Sequence, residues 1–185
     1  MAGKRVRVRV TGKAVVLVNG LPGAGKTTLS GGLAGVMGLP LISKDAVKDE
    51  LAGGGGGVAD LGVRASRLMW ERAAAHDGGV VLESWWFKPR DLAYVEAGLR
   101  QCGAGAVVEV WCEVPSEVAR RRCAARRRPA YYEDARRLAE HWAEWSAGAE
   151  PLGVGTVLRV RTDAAVDVAG VAAGITAGWS SAGTG

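Results

Sequence analysis

The stretch AVVLVNGLPGAGKTTLSGGLAGVMG, residues 14–38, decides the fold. Its first seven residues form a β-branched apolar run that ends in glycine, which predicts a buried strand. A glycine-rich turn follows, and residues 26–38 can form a helix despite their glycines. The motif in the turn therefore lies between a strand and a helix, which is the context that its chemistry requires.

Residues 20–27 match the pattern G-x-x-x-x-G-K-[ST] without a mismatch. Backbone N–H groups of such a loop surround phosphate groups, and the following helix N-terminus adds partial positive charge. We expect Lys26 to reach the β- and γ-phosphates of a nucleotide and the Thr27 hydroxyl to bind Mg²⁺. The predicted nucleotide-binding residues of this P-loop are Gly20, Leu21, Pro22, Gly23, Ala24, Gly25, Lys26, Thr27 and Thr28. No N/T-K-x-D element for guanine is apparent, so ATP is the expected nucleotide.

Strands and helices continue to alternate along the chain. Further strands are predicted at residues 39–43, 80–84, 106–114 and 155–160, and further helices at 45–51, 61–79, 88–103, 115–128, 131–145 and 164–175. This alternation predicts a five-stranded, mainly parallel sheet in a three-layer α/β/α sandwich. A basic Arg/Val segment at residues 1–13 is either an additional edge strand or a basic arm, residues 14–177 form the P-loop domain with a lid at about residues 120–134, and residues 178–185 form a flexible tail.

Length and composition favour one domain and exclude several classes. The chain has 185 residues, 48% of them hydrophobic and 23% charged, and no apolar run approaches the roughly 20 residues of a membrane span. The N-terminus lacks the apolar region of a signal peptide, so we expect a cytoplasmic protein without a membrane partner. Cys102, Cys112 and Cys123 are an odd number without CxxC spacing, which favours reduced, structural cysteines.

An acid follows the second predicted strand. Ligands of open α/β sheets collect outside the carboxyl ends of the strands, so Asp45, Glu83 and Ser84 should converge near the P-loop. Asp45 can take the proton of an acceptor hydroxyl, or it can cap the helix that follows. Lys48 shares a helical face with Asp45 and is a candidate substrate contact. Glu83 can hold a Mg²⁺-bound water or a substrate hydroxyl, or serve a structural role.

Arginines and tryptophans supply the remaining candidates. On the predicted helix at residues 115–128, Arg122 and Arg126 share a face and can contact a transferring phosphoryl group, and Arg122 also the nucleotide. The other arginines of that helix are expected mainly to face solvent. Trp85 and Trp86 follow the third strand, where either can contact an acceptor ring or simply pack. Trp70 and Trp145 are expected to pack in the core.

These features together resemble one group of kinases. The P-loop, Asp45 after the second strand, VVLES at residues 80–84 and VPSEVARRRCAAR at residues 114–126 look like the P-loop kinases that include chloramphenicol phosphotransferase and polynucleotide 5′-hydroxyl kinases. The resemblance implies that Asp45 is the catalytic base and that Arg122 and Arg126 are lid arginines. It departs from the group at Glu83, where an aspartate is common, and at residues 126–134, where the turn differs.

Three functions remain open from the sequence. The leading prediction is an ATP- and Mg²⁺-dependent phosphotransferase that acts on a small-molecule hydroxyl of antibiotic, nucleoside or sugar type. A polynucleotide 5′-hydroxyl kinase is the nearest alternative, because a net charge of +5 suits nucleotide phosphates and nucleic acid alike. A nucleotide-binding switch ATPase belongs to another class. The sequence identifies neither the acceptor, the oligomeric state nor the role of the glycine-rich loop at residues 53–57.

Overall fold

The computed structural model describes residues 12–55 and 59–182. The strands are β1 (Lys13–Asn19), β2 (Leu41–Ser43), β3 (Val80–Glu83), β4 (Ala104–Glu113) and β5 (Thr156–Arg161). The helices are α1 (Lys26–Met37), α2 (Lys44–Gly53), α3 (Leu61–Ala75), α4 (Lys88–Gln101), α5 (Ser116–Ala124), α6 (Asp134–Ala147) and α7 (Val168–Ala182). A short 3₁₀ turn, Ala130–Tyr132, precedes α6.

The five strands form one sheet in the order β2-β3-β1-β4-β5, and every strand pair is parallel. The predicted α/β/α sandwich is therefore confirmed. β1 lies at the centre, and its residues from Val15 to Val18 are fully buried. A central parallel strand is covered on both faces, which explains why its sequence is a continuous apolar run.

Two hydrophobic clusters lie on opposite faces of the sheet. One packs Val16 and Val18 against α1 and α7, with Leu33 and Ile175 among its members. The other packs the alternate residues of β1 against α3 and α4. Because successive side chains of a strand point to opposite faces, the same seven-residue strand supplies both cores. Because all five strands are parallel, their carboxyl ends lie at the same edge of the sheet.

Three predicted boundaries differ from the structure. α7 extends to Ala182 and so includes part of the segment predicted as a flexible tail from residue 178. Trp179, in this last part of the helix, is buried in the core. The segment predicted as an arm or edge strand ends inside β1, where Lys13 pairs with Ala104, and its residues 1–11 lie outside the described part of the chain.

The third difference concerns the arginine-rich helix. α5 ends at Ala124, whereas the sequence predicted a helix to residue 128. Pro129 explains part of this, since a proline disfavours the helical conformation of the residue before it. Arg126, Arg127 and Arg128 therefore lie in a loop rather than on a basic helical face.

Candidate active site

A cavity of about 810 Å³ opens at the carboxyl ends of β1, β2 and β3. Lys26 and Thr27 of the P-loop line one part of its wall, and α2, the loop after α5 and the start of α6 line another. This is the edge at which open α/β sheets bind their ligands. The predicted site residues that line the cavity are Pro22, Lys26, Thr27, Asp45, Lys48, Glu83, Ser84, Trp85 and Arg126.

The P-loop has a conformation that depends on its glycines. Gly20, Gly23 and Gly25 have φ values of 143°, 88° and 86°, which residues with a side chain rarely adopt. The loop also packs tightly, because a Cβ atom on Gly23 would overlap the carbonyl oxygen of Ala119 in α5. Gly25 is followed directly by α1, so the loop ends at a helix N-terminus.

Lys26 lies over this loop. Its Nζ donates to the carbonyl oxygens of Gly20 at 2.7 Å and Leu21 at 3.0 Å. Burial lowers the pKa of Lys26, and the nearby Glu83 carboxylate opposes this shift. A buried cation that contacts only carbonyl oxygens can exchange those contacts for phosphate oxygens at little cost. The conformation therefore fits the predicted role of Lys26.

A buried network supports the P-loop from below. The Asn19 side-chain oxygen accepts from the backbone N–H groups of Gly20 at 2.8 Å and Trp86 at 3.0 Å, and its amide nitrogen donates to Glu109 at 3.0 Å. The Glu109 carboxylate also accepts from the backbone N–H groups of Leu152 and Gly153, both at 2.9 Å. Asn19 and Glu109 are fully buried. Sequence reasoning missed both, although a charged residue inside an apolar central strand was a usable signal.

Asp45 lies in the first turn of α2 and opens to the cavity. Ser43 occupies the N-cap position, so the alternative that Asp45 caps this helix is wrong. Its Oδ2 instead accepts from Arg128 Nη1 at 2.7 Å, and about half of its side-chain surface is exposed. Asp45 is also close enough to Lys26 to raise the pKa of that lysine slightly against the effect of burial. The carboxylate and the P-loop cation therefore share one site.

Arg128 was expected mainly to face solvent, but it connects three parts of the cavity wall. Besides Asp45, it binds Asp134 with two hydrogen bonds of 2.8 and 2.5 Å. Its guanidinium lies 3.9 Å from the centre of the Tyr132 ring. The planar fork of arginine suits this combination of two carboxylates and one aromatic face. The expectation failed because Arg128 leaves the helix and turns inward.

The two predicted lid arginines do not share a helical face, contrary to the prediction, because α5 ends between them. Arg122 is exposed, and its Nη1 donates to the carbonyl oxygen of Thr162 at 3.1 Å. Thr162 in turn donates to Ala24 of the P-loop at 2.6 Å. Arg126 lines the cavity and lies near enough to Lys26 to lower its pKa. Only Arg126 of the pair thus faces the cavity in this conformation.

Three consecutive residues at the end of β3, Glu83 to Trp85, line the cavity, and the next residue does not. Glu83 is buried and its Oε2 accepts from Ser43 Oγ at 2.6 Å, while Ser84 beside it lines the cavity. Trp85 also lines the cavity. Trp86 is 2% exposed and belongs to the core beneath α3 and α4, which corrects its prediction as a substrate contact. Both tryptophans lie in the loop between β3 and α4, and only Trp85 reaches the cavity.

Trp70 and Trp145 were assigned to packing, and both are buried, yet each also contributes to the cavity wall. Trp145 makes an edge contact with Trp85, with ring centres 6.3 Å apart. The cavity wall therefore contains an aromatic part formed by Trp70, Trp85 and Trp145, which we call the aromatic floor, and a charged part formed by its lysines, arginines and carboxylates, which we call the charged rim. The sequence pattern predicted that these two tryptophans pack in the core, but it could not show that the core borders a cavity.

The oxygen groups at this edge suit a hard cation. Thr27 carries a hydroxyl in the first turn of α1, and Glu83 carries a carboxylate at the end of β3, and both line the cavity. Mg²⁺ prefers such oxygen ligands and usually completes its shell with phosphates and water. Within residues 12–55 and 59–182, no group of three His, Cys, Asp or Glu residues could hold a metal alone. The residues therefore fit Mg²⁺ bound together with a nucleotide.

The chain has a P-loop kinase-like α/β fold. The family model described as an AAA domain matches residues 15–152, and the chain belongs to this family. No curated protein matches the sequence. The narrower resemblance to chloramphenicol phosphotransferases and polynucleotide kinases stays a prediction.

Solved structures share the fold. A candidate kinase from Chloroflexus aurantiacus j-10-fl is 24% identical, with a TM-score of 0.72 over 89% of this chain and 97% of that one. A gluconokinase from Sinorhizobium meliloti 1021 is 19% identical, with a TM-score of 0.57 over 95% of each chain. A shikimate kinase from Acinetobacter baumannii, in complex with shikimate, is 16% identical, with a TM-score of 0.51 over 89% and 91% of the two chains.

None of the helices in the described ranges is long and apolar enough to cross a membrane.

Proposed function

We propose that this chain is an ATP- and Mg²⁺-dependent phosphotransferase that moves the γ-phosphate to a hydroxyl of a small molecule of antibiotic, nucleoside or sugar type. One observation carries the proposal most strongly. The Asp45 carboxylate and the P-loop lysine line the same cavity, which also extends to an aromatic floor and a charged rim. An enzyme that only hydrolyses ATP does not need a carboxylate beside a pocket of this size, whereas transfer to an alcohol does.

In this proposal, the P-loop backbone and Lys26 hold the nucleotide phosphates. Thr27 and, through a water molecule, Glu83 would hold Mg²⁺, which supplies charge neutralisation at the phosphates when it is bound. The Ser43 hydroxyl fixes one oxygen of Glu83 at 2.6 Å and so orients the carboxylate. These residues bind and orient groups but transfer no proton.

Asp45 is the proposed general base. The acceptor hydroxyl gives its proton to Asp45 as its oxygen bonds to the γ-phosphorus, and the bond from that phosphorus to the bridging oxygen of ADP breaks. Arg128 occupies Oδ2 of Asp45, which leaves Oδ1 for the acceptor hydroxyl. We therefore assign Arg128 as a positioning residue for the base.

Arg126 is the proposed contact to the transferring phosphoryl group, since it lines the cavity near Lys26. An arginine in this role stabilises the negative charge of the transition state, which contributes on the order of 10³-fold or more in rate. Arg122 lies beside the loop that contacts Ala24, and we propose that it contacts the nucleotide.

A polynucleotide 5′-hydroxyl is the second candidate acceptor, because several cations line the cavity besides Lys26. Binding to a nucleic acid strand should weaken steeply with salt, since each neutralised phosphate releases a counterion. Between about 50 and 200 mM salt, a nucleic acid strand would lose most of its affinity, whereas binding of a small molecule should weaken only slightly.

The proposal is tested by incubating the chain with ATP, Mg²⁺ and a panel of hydroxyl compounds and 5′-hydroxyl oligonucleotides. Products are identified by mass, because one transferred phosphoryl group adds a fixed increment to the acceptor. We expect one class of small molecule to acquire this increment. Consumption of ATP with every acceptor unmodified, at a rate independent of the acceptor, would support the switch ATPase instead.

A further inference from the structure

One part of the cavity wall is formed by α2, the loop after α5 and α6, and we call it the acceptor side after its proposed role. It contains three cations that remain without a carboxylate partner. Lys44 and Lys48 lie on one face of α2, and Arg137 faces them from α6. Within residues 12–55 and 59–182, no carboxylate oxygen lies within 4.0 Å of any of these three side-chain cations. Two other cavity cations, Arg90 and Arg128, form ion pairs with Asp91 and Asp134.

The three cations form a cluster in which Lys48 is buried, Lys44 is partly buried and Arg137 is exposed. Burial is the main reason that the pKa values of Lys44 and Lys48 are lowered, and Arg137 lowers both further. The carboxylates of Asp91 and Asp45 raise the pKa of Lys44, and those of Asp45 and Asp134 raise the pKa of Lys48. Each of these three carboxylates already accepts a hydrogen bond from an arginine. Like charges gathered in a partly buried wall repel one another unless an anion binds between them.

Lys48 shows how the cluster is arranged. The residue is 6% exposed, its Nζ donates to the carbonyl oxygen of Tyr131 at 3.3 Å, and it lies 4.3 Å from the centre of the Tyr132 ring. A carbonyl oxygen and an aromatic face hold the ammonium in place without neutralising its charge. The fixed position and the remaining charge are what an anion-binding group needs.

The cluster is distinct from the phosphate-binding part of the cavity. Arg126 lies close enough to Lys26 of the P-loop to lower the pKa of that lysine, and the nucleotide phosphates are expected beside these two cations. Lys44 and Lys48 lie on either side of Asp45 in sequence, on the helix that carries the proposed base. An anion bound by the cluster would therefore belong to the acceptor rather than to ATP.

On the basis of the proposed function, we propose that the phosphate acceptor carries an anionic group, a carboxylate or a phosphate, which binds between Lys44, Lys48 and Arg137 and places the acceptor hydroxyl at Asp45. The anion completes the charge balance of the cluster. Neutral alcohols of the same shape lack this interaction and should be poor acceptors.

The test separates this anion site from the P-loop. The protein is first saturated with Mg²⁺ and the nonhydrolysable β,γ-imido analogue of ATP, and inorganic phosphate or acetate is then titrated by calorimetry. We expect saturable binding of at least one of these anions. Lys44→Met and Arg137→Met should each weaken it about tenfold, because each removes a hydrogen bond to a charged group.

Arg120→Met is the matched control. It removes an exposed cation that does not line the cavity, so anion binding should stay at the wild-type value. Absence of saturable binding, or binding that both cavity variants leave unchanged, would overturn the inference. Urea unfolding of each variant is measured as well. If its midpoint equals that of the wild type, misfolding is not the cause of weaker binding.

Matched pairs of acceptors distinguish a carboxylate from a phosphate as the anionic group. Gluconate is compared with sorbitol, and glycerol 3-phosphate with glycerol, for binding in the presence of the analogue and for phosphorylation by ATP. The anionic member of at least one pair should bind about tenfold more tightly than its neutral partner. Equal or tighter binding of both neutral members overturns the inference, and their phosphorylation would still support the kinase. Selective binding of an anionic member without transfer to any acceptor supports the anion site and contradicts the proposed function.

Discussion

The two sides of the cavity are built in different ways. The nucleotide side is one continuous segment, from β1 through the P-loop to α1, and buried hydrogen bonds of Asn19 and Glu109 support it. The acceptor side is assembled from α2, the loop after α5 and α6, and side-chain pairs of Arg128 connect them. In the proposed function, the backbone is the binding group on the first side, and side chains are the binding groups on the second.

This difference has a consequence for stability and specificity. Buried hydrogen bonds that involve backbone groups resist local opening, whereas partly exposed ion pairs contribute little and can exchange partners. We expect mutations on the nucleotide side to affect folding and nucleotide binding together. Mutations on the acceptor side should alter acceptor use at a small cost in stability.

The largest expected effect is that of Gly23→Ala. Gly23 has a φ of 88°, and a Cβ atom would overlap the carbonyl oxygen of Ala119, so the P-loop and α5 must separate. We expect a loss of about 3 kcal/mol or more in the free energy of unfolding and a loss of nucleotide binding. Urea unfolding and calorimetric titration with ATP measure these two effects.

Gly35→Ala is the control for that substitution. Gly35 lies in α1, and a Cβ atom added there would meet no atom within 4 Å apart from the backbone of its own helix. This variant should be neutral or more stable by about 0.5 to 1 kcal/mol, since alanine favours the helix. Similar losses in both variants would show that the P-loop conformation is not the source of the effect.

Glu109→Ala tests the buried network. The variant leaves the Asn19 amide and the N–H groups of Leu152 and Gly153 without their acceptor, so we expect the protein to lose about 3 kcal/mol of stability. Glu96→Ala removes an exposed carboxylate from α4 and should change stability by less than about 0.5 kcal/mol. Equal urea midpoints for the two variants would contradict a supporting role for Glu109.

Arg128→Ala should affect the acceptor side alone. It removes the contacts to Asp45, Asp134 and Tyr132, and we expect about 1 to 2 kcal/mol of lost stability because the site is partly exposed. Amide exchange should accelerate at residues 130–137 and stay unchanged in the P-loop. The exposed neighbour Arg127 provides the control, as Arg127→Ala should leave both regions as they are. Faster exchange in the P-loop would show that the two sides are one cooperative unit.

The smallest expected effect concerns Cys112, beneath the P-loop. Burial raises the pKa of its thiol to about 12 from an ordinary value of 9.0. The folded state therefore keeps a proton that the unfolded state loses, so this contribution is present below pH 9 and is lost as the pH rises toward 12. Between about pH 8 and 10 the wild type should lose about 1.4 kcal/mol on this account.

Cys112→Ala should show a smaller loss over the same pH interval, by about 1.4 kcal/mol, in urea unfolding at the two pH values. The comparison uses the change with pH within each protein, so a constant cost of the substitution cancels. An identical pH dependence in both proteins would mean that the thiol ionises in the folded state.

The strand–loop–helix structure of the nucleotide side could be predicted from the sequence because its determinants are local. The strand, the glycines and Lys26 follow one another directly, and the predicted order of strands and helices gave the confirmed α/β/α sandwich. The role of Glu109 was missed because its hydrogen-bond donors come from β1 and from residues 152–153, far apart along the chain.

The acceptor side was predicted only in part. That Asp45 and Lys48 line the cavity could be predicted, because Asp45 follows a strand end and Lys48 shares its helical face. The contribution of Arg128 depends on where α5 ends and on contacts to α2 and α6, which no periodic pattern contains. The cluster of Lys44, Lys48 and Arg137 likewise arises only when α2 and α6 are brought together.

Asp45→Asn gives the most direct test of the central claim that Asp45 is the base of a phosphotransferase. The substitution keeps the shape of the side chain and removes its capacity to accept a proton. With an acceptor found in the hydroxyl panel, we expect transfer to fall about 100-fold or more while ATP binding stays within about twofold of wild type. Undiminished transfer, or unchanged ATP turnover without any phosphorylated acceptor, would contradict the account.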